Sequence, residues 1–225
     1  GVQNTLIGAL AGDAITDANN NTALGYAALS TNQRGAFNVA VGVGALQTAN
    51  PSGAADTYNT AVGFDAGNAV TTGIQNTLVG GLAGDALLAA ADNVAVGFEA
   101  LSTETGGQNN VAIGPRALKA QVNSSGNIYN TAVGANAGTA VTTGIQNVLI
   151  GGLAGDALTD ADFNVAVGTS ALSADTLGSQ CTALGHGALE AQNFTTATQA
   201  NNTAVGFLAG DGVTTGKFNL FAGAL

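Results

Sequence analysis

Carboxylates in turns are the residues of this chain whose type and spacing could do chemistry. Asp156 directly follows an Ala-Gly pair, and Asp160 and Asp162 come shortly after it in the sequence. Oxygen ligands grouped in a turn are what Ca²⁺ prefers in proteins, so these three residues are candidate calcium ligands. Solvated turn carboxylates are the favoured alternative. The equivalent Asp85 is followed by apolar residues, and the calcium-binding nonapeptide pattern of β-helical repeats is absent.

The remaining reactive residue types do not form a catalytic pattern. His186 is the only histidine and stands between two glycines, where other repeats have Tyr or Phe, which indicates a variable surface position. Cys181 is the only cysteine, so a disulfide within the chain is excluded. A tolerated substitution is favoured there over a reactive or intermolecular thiol. The Gly-x-x-Ala-Gly phrases lack the Gly-Lys-Ser/Thr of a phosphate loop. We expect no enzyme activity and no cofactor.

The charge balance bears on the partners and the location of the chain. It has 4 Lys and Arg against 14 Asp and Glu, a net charge of −10. Nucleic-acid binding is not expected, because phosphate contacts need clustered Lys and Arg. No apolar run approaches the length of a membrane span, so none is expected in this segment. The near absence of Cys suits an extracellular location, at a cell surface or on a virion.

A short repeated sequence motif, which we call the phrase, sets the positions of all of these residues. It reads Asn, then Thr or Val, a small apolar residue, then Val, Ile or Leu, then Gly, and it recurs thirteen times. Most steps are 17 residues, and the other three are 21, 20 and 21. A fixed period of this length is typical of a solenoid rather than of a globular enzyme. Clear copies run from Asn21 to Gly25, Asn38 to Gly42, Asn93 to Gly97, Asn110 to Gly114 and Asn164 to Gly168.

The phrase predicts a β-strand. Thr, Val and Ile favour extended backbone, and the closing Gly allows a positive φ or a close backbone approach. The opening Asn suits a turn and could stack coil on coil as an amide ladder. A helix is disfavoured, because the helical period is not sustained and Gly recurs every few residues. The predicted fold is therefore all-β, a parallel β-solenoid (β-roll) with 17-residue coils.

The strands are apolar on both faces, which bears on assembly. The second and fourth residues of the phrase share one face of the strand, and the third lies on the other. The third residue is apolar in every copy, mostly Ala, but it is Leu6, Leu78, Leu149 and Phe221 in the first coil of each four-coil unit. A solenoid on its own buries only the inner face of its strands, so a second apolar face needs a partner surface. We therefore expect these four residues to contact another copy of the chain. Alanine on an exposed face is the alternative.

The repeats have a longer period of four coils. Coil endings follow the order Ala-Gly, Ala-Leu, Ala-Leu, Ala-Gly, and one coil in four is longer. We call its extra segments the first, second and third excursions: Gln47 to Tyr58, Lys119 to Tyr129 and Glu190 to Asn201. The chain is predicted to be a single repeat array over 1–225, with units of approximately 1–72, 73–143 and 144–215 and a partial unit 216–225. Because solenoids need polar end caps, we expect a fragment of a longer fibre.

The run from Asn109 to Gly114 reads Asn-Asn-Val-Ala-Ile-Gly. It resembles the repeats of YadA-like trimeric autotransporter adhesin heads. The chain also resembles the Asn-Thr-Ala-Val-Gly repeats of phage tail fibres and large surface proteins. The adhesin-head resemblance implies a left-handed parallel β-roll with three chains side by side, each coil adding one rung. The coils of this chain are longer than those of the adhesin heads.

Three functions follow as hypotheses. The leading one is a non-enzymatic structural segment that extends and stiffens a surface adhesin or a phage tail fibre, with self as partner in a homotrimer. The second is an adhesin head module that binds a glycan, matrix or another cell-surface ligand, with the excursions as candidate contact sites. The third is a self-assembling extracellular filament subunit.

Overall fold

The computed structural model describes residues 1–225 as short β-strands joined by tight turns. It contains no helix, and so none of a length that could cross a membrane. The prediction of an all-β parallel β-solenoid with 17-residue coils is thereby confirmed. The strands are β1 Thr5–Ile7, β2 Thr22–Leu24, β3 Gly35–Ala36, β4 Val39–Val41, β5 Ala55–Asp56, β6 Thr60–Val62, β7 Thr77–Val79, β8 Val94–Val96, β9 Gly107–Gln108, β10 Val111–Ile113, β11 Gly126–Asn127, β12 Thr131–Val133, β13 Val148–Ile150, β14 Val165–Val167, β15 Gly178–Ser179, β16 Thr182–Leu184, β17 Thr198–Gln199, β18 Thr203–Val205 and β19 Leu220–Ala222.

The chain divides into two compact units. The first comprises residues 1–110 and 122–127. Its coil strands β1, β2, β4, β6, β7 and β8 form a parallel sheet in that order. Two small parallel pairs, β3 with β5 and β9 with β11, lie beside the longer coils. Each coil of this unit therefore contributes one three-residue strand to a common sheet.

The second unit comprises residues 111–121 and 128–225. Its coil strands β10, β12, β13, β14, β16, β18 and β19 form a parallel sheet in that order. One small parallel pair, β15 with β17, accompanies it. The register keeps the repeat phrase aligned: Ala132 pairs with Leu149, and Leu149 with Ala166. Equivalent residues therefore form columns along the coils.

Hydrogen bonding between coils continues outside the strands. The Gly42 amide donates to the Leu24 carbonyl oxygen at 2.8 Å, and the Leu29 amide to that of Ala45 at 3.0 Å. Such bonds link equivalent or neighbouring columns of consecutive coils. A buried polar backbone group needs a partner, and here the adjacent coil supplies it at the turns as well as in the strands. This explains how a chain with so few large apolar residues forms a regular stack.

Left-handed residues make the corners of each coil. The second coil has positive φ at Ala27 (54°), Leu29 (56°) and Phe37 (62°), besides the closing Gly25 (137°). The same columns carry Gly or Asn in other coils, for example Gly12 and Asn20. Only Gly and, less readily, Asn adopt this region at low cost. The non-glycine corners were not predicted, although Gly and Asn recurring in those columns are a signal for them.

The Ala-Gly and Ala-Leu endings have a packing explanation. In the coil of Leu78, the ending residue is Gly84, and a Cβ there would lie 2.7 Å from a Leu78 methyl group. In the next coil the third strand residue is Ala95 and the ending residue is the buried Leu101. A Cβ on Gly67, the ending residue of the preceding coil, would also lie 2.7 Å from a Leu78 methyl group. A large side chain on the strand therefore lies beside glycine endings in its own and the preceding coil, and where the ending is Leu the strand residue is Ala. Close packing of the interior explains this exchange of volume.

Candidate functional site

The third residue of the phrase lies inside the coil. Leu78 and Leu149 have no exposed surface, and neither have the alanines at this position in the inner coils. This corrects the expectation that Leu78 and Leu149 contact another copy, because their side chains already fill the narrow coil interior. Leu6 and Phe221 belong to the same column in the first and last coils, where Leu6 is partly exposed. Alanine dominates the column because the interior is narrow.

The second and fourth residues of the phrase form the outward face of each sheet. In the first unit this face includes Leu24 and Val62, which are 44% and 36% exposed. In the second unit it includes Ile113 and Ile150, both 38% exposed. The two columns hold Thr and aliphatic residues in all thirteen strands, and no charged residue among the 18 of the chain. We call these two columns the outward face.

The asparagines that open the phrase form a buried ladder in each unit. Asn38 donates to Asn21 Oδ1 twice, from its backbone amide at 2.8 Å and from Nδ2 at 3.1 Å. Asn110 makes the same pair of bonds to Asn93 Oδ1, at 3.0 and 3.1 Å. In the second unit the Asn164 amide donates to Asn147 Oδ1 at 3.0 Å. One side chain thereby satisfies buried groups of two coils, which is a structural role.

The glycines that close the phrase are required by close coil packing. Gly25, Gly42, Gly97, Gly114 and Gly168 have φ between 128° and 137°. A Cβ on Gly25 would lie 2.6 Å from the carbonyl carbon of Gly42. Because that atom is backbone of the next coil, no side-chain movement could make room. These glycines therefore set the coil spacing.

Cys181 replaces one asparagine of the ladder. Its amide still donates to Asn164 Oδ1 at 2.9 Å. Gln192 lies beside it: its Nε2 donates to Cys181 Sγ at 3.2 Å, and its Oε1 accepts from Asn202 Nδ2 at 2.7 Å. Burial raises the pKa of the Cys181 thiol, although the hydrogen bond from Gln192 opposes this rise. A buried thiol with a raised pKa has little thiolate character, which agrees with a tolerated substitution.

The three candidate calcium ligands lie in two separate places. Asp156 borders a groove together with Glu190 and Asp211. Asp160 and Asp162 border a different cavity, beside β15 and β17. No group of three or more His, Cys, Asp or Glu side chains is arranged to hold a metal ion. The structure therefore does not bring the predicted ligand set together.

Asp85 and Asp156 occupy equivalent positions, 71 residues apart, and share an unusual environment. In each, Oδ1 is buried without a hydrogen-bond partner. Burial raises the pKa of both carboxyl groups, opposed by a backbone hydrogen bond. For Asp85 the nearby carboxylates of Asp65 and Glu99 raise the pKa further. Folding therefore favours the protonated forms of both residues.

Replacing Asp156 by Asn is expected to stabilise the protein at pH 7. A folded-state pKa above the unfolded value means that stability is lost as the pH rises through the folded pKa. The charged side chain therefore costs stability at neutral pH, by about a few tenths of a kcal/mol, because solvent screens a partly exposed carboxylate. Melting temperatures at pH 7 and pH 3 measure the effect. We expect a rise at pH 7 that disappears at pH 3.

Asp13 supplies the control for this experiment. It occupies the equivalent position of the first coil and is exposed, so Asp13→Asn should leave the melting temperature unchanged at both pH values. An unchanged or lower melting temperature of Asp156→Asn at pH 7 would contradict the assignment of an unfavourable carboxylate.

The third excursion is attached to the preceding coil by a buried carboxylate. Asp175 has no exposed surface. Its Oδ1 accepts the amides of Phe194 at 2.9 Å and Gly178 at 3.1 Å. Its Oδ2 accepts from Gln192 Nε2 at 2.5 Å. Charge-assisted hydrogen bonds of this kind are among the stronger ones in proteins, so Asp175 holds the start of the excursion on its coil.

Glu104 has the same place in the coil before the second excursion, and it is also buried. Its Oε1 accepts backbone amides of its own turn, from Gly106 at 3.0 Å and Gly107 at 2.8 Å. It also accepts the amide of Asn123 in the excursion at 3.0 Å. The carboxylate thus connects one coil with the next, as Asp175 does.

The first excursion differs in a way that supports this role. Pro51 stands at the position of Asn123 and Phe194 and has no amide hydrogen to donate. The residue in the place of the carboxylate is Asn32, which exchanges two hydrogen bonds with the backbone of Gly35 in its own coil. Sequence reasoning missed these attachments. The signal that could have revealed them is an acidic residue in a column that holds Ile, Val or Leu in six of its twelve coils and an acidic residue only at Glu104 and Asp175.

His186 stays outside every polar cluster described above. It is exposed, and its ring stacks on Phe207 with centroids 5.3 Å apart. A similar stacked pair, Phe37 with Tyr58, lies at 5.0 Å in the first unit. The structure therefore places His186 among exposed aromatic residues of the coil corners.

Comparisons with known proteins do not identify a family for this chain. No protein-family model matches it, and neither does any curated protein or any solved structure. The features of the molecule that bear on function are the repeat geometry and three surfaces: the outward face, the excursions and the cavity beside Asp160 and Asp162.

Proposed function

We propose that this chain is a non-enzymatic structural segment of an extracellular fibre or stalk. Such a segment would extend and stiffen an appendage at a cell surface or on a virion, as in a surface adhesin or a phage tail fibre. The observation that carries the proposal is the uncharged outward face, combined with an interior whose buried asparagine ladder links consecutive coils by hydrogen bonds. The mechanism is geometric, because each repeat adds one coil of the same size.

Hydrogen bonds between consecutive coils support the proposed stiffening role. The Thr22 amide donates to the Asn38 carbonyl at 2.8 Å, and the Asn ladder runs parallel to such bonds inside each unit. Separating two coils would break these bonds together. Because the stability of such a stack is approximately a sum of coil terms and nearest-neighbour interfaces, every added coil contributes the same set of bonds to the segment.

The outward face is the proposed contact between copies, in a homotrimer. Aliphatic side chains in neighbouring coils, such as Val133, Ile150 and Val167, form an apolar strip. Burying apolar area is the main favourable term in protein association. A strip without charges avoids the desolvation cost that a buried carboxylate or ammonium group would add. The left-handed winding of the β-roll remains a prediction from the resemblance to adhesin heads.

Placing a charge on the outward face tests the proposal. Val167→Lys in β14 should dissociate the oligomer, because the ammonium group would lose its hydration in the interface. The mass of the particle in solution, measured by light scattering and sedimentation, is expected to be three times the chain mass and to fall to one chain mass in the variant. Circular dichroism verifies that the variant is folded.

Thr139→Lys introduces the same charge at a coil corner away from the outward face, and the trimer should persist. A monomeric parent chain at all concentrations, or equal dissociation by both variants, would reject the proposed contact. Open-ended growth seen by electron microscopy would replace the trimer by the filament hypothesis.

A further inference from the structure

The cavity under the third excursion has the features of a carbohydrate site. It measures about 310 Å³ and lies between the corner 160–163 and the small sheet of β15 and β17. Ligand pockets of roughly this size or larger combine an apolar surface with a few converging polar groups. We infer that this cavity binds an uncharged sugar in its pyranose form. The inference is independent of the proposed fibre function, because none of the residues that line the cavity belongs to the outward face.

Two carboxylates of the cavity are held in place by their own hydrogen bonds. Asp160 Oδ1 accepts from the hydroxyl of Thr143 at 2.5 Å. Asp162 Oδ1 accepts from the Ile145 amide at 2.8 Å. One oxygen of each carboxylate thereby accepts a hydrogen bond from the protein, and the other can accept one from a ligand. Charge-assisted acceptors that are fixed before binding suit neighbouring sugar hydroxyls, because little side-chain entropy is lost.

An aromatic ring and hydroxyl and amide groups complete the site. Phe163 borders the cavity with 46% of its surface exposed, from a left-handed corner residue. Its ring face can stack against the apolar face of a pyranose. The Asp162 amide donates to Ser179 Oγ at 3.0 Å, which orients that hydroxyl and leaves its proton to donate. Gln180 and Gln199 add carboxamides that can donate and accept.

The charges of the lining define the ligand class. Asp160 and Asp162 are the only charged residues among the cavity residues, and neither Lys nor Arg is among them. An anionic ligand such as a phosphate or a sialic acid would be repelled. A neutral sugar gains hydrogen bonds from the same carboxylates without that cost.

The other repeats provide an internal comparison. Asp160, Asp162 and Phe163 lie two coils before the coil that carries the third excursion. At the same place before the second excursion the residues are Ala89, Ala91 and Asp92. Before the first excursion the equivalent residues are Asp17, Asn19 and Asn20. Of the three equivalent places, only the one at the third excursion therefore combines two carboxylates with an exposed aromatic ring. The coil fold does not require this combination, since alanine serves at the same positions. This difference indicates a local function rather than a general packing role.

Saturation-transfer NMR with the methyl glycosides of glucose, galactose, mannose and N-acetylglucosamine tests the inference. We expect transfer to at least one of these sugars in the full chain. Asp162→Asn keeps the acceptor for the Ile145 amide but removes the charge, and should weaken binding about tenfold or more. Phe163→Ala should abolish the transfer. Alanine is compatible with the corner conformation, as Ala27 shows at φ 54°.

Phe98→Ala is the matched control, because Phe98 is another half-exposed phenylalanine, 48% exposed, outside the cavity. Binding should be unchanged in this variant. No transfer to any of the four sugars at millimolar concentration would overturn the inference, and so would an equal loss in Phe98→Ala and Phe163→Ala. Transfer that requires Ca²⁺ and disappears with a chelator would also overturn it, in favour of a cation site.

Discussion

Gly151→Ala is expected to destabilise the protein more than any other single substitution considered for this chain. Gly151 closes β13 with φ 132°, in a region that side chains rarely adopt. A Cβ there would lie 2.6 Å from both the carbonyl carbon and the oxygen of Gly168, and 3.0 Å from the Thr169 nitrogen. All three atoms are backbone of the next coil, so the coils would have to separate. We expect a loss of roughly 3 kcal/mol or more in the free energy of unfolding.

The adjacent glycine provides a close control. Gly152 has no positive φ, and a Cβ on it would meet only the Ala135 carbonyl oxygen at 3.9 Å. Gly152→Ala should therefore change the free energy of unfolding by less than about 0.5 kcal/mol. Urea denaturation of both variants, followed by circular dichroism, measures the difference. Equal stabilities of the two variants would show that the coil spacing is not set by the closing glycines.

Asn147→Ala is expected to have the second largest effect. Asn147 is buried, its Nδ2 donates to the Ala161 carbonyl at 2.8 Å, and its Oδ1 accepts the Asn164 amide at 3.0 Å. Alanine would leave both backbone groups unpaired in the coil interior. Each orphaned group costs about 1 kcal/mol or more, so we expect a loss of roughly 2 kcal/mol, smaller than that of Gly151→Ala. Thermal and urea unfolding measure it.

Gln146 supplies the control, since it precedes Asn147 and is exposed. Gln146→Ala should leave the stability nearly unchanged. Hydrogen exchange adds a readout for the ladder, because the Asn164 amide should lose its protection in Asn147→Ala and keep it in Gln146→Ala. Retained protection in Asn147→Ala would mean that another group, such as a water molecule, replaces the asparagine, and the ladder would then contribute little.

The repeat phrase was enough to predict the thirteen coil strands and their order, but not the six short strands of the small parallel pairs. β-branched residues between Asn and Gly, at a 17-residue period, correctly indicated parallel strands stacked coil on coil. The assignment of the two strand faces was wrong, because alternation shows that two faces exist but not which one points inward. Leu78 and Leu149 suggested an outer contact by their size, yet they lie inside where Gly84 and Gly155 leave room.

The candidate site was harder to anticipate. Asp156, Asp160 and Asp162 are close in sequence, but the coil corner between them directs Asp156 to one groove and the other two to a separate cavity. The buried attachments made by Glu104 and Asp175 depend on contacts with a following coil, 17 to 19 residues away. A pattern of residue types along the chain does not contain these distances.

The sequence by itself determined the coil length, the β-strands, the absence of a disulfide and the positions of the three excursions, because each depends on local preference or on counting residues. Only the tertiary structure decided which strand face is interior, which corners are left-handed without glycine, and which carboxylates hold the excursions or border a cavity. The physical reason is that these features depend on the volume inside each coil and on the backbone groups of the next coil. Both quantities arise only when successive coils are stacked.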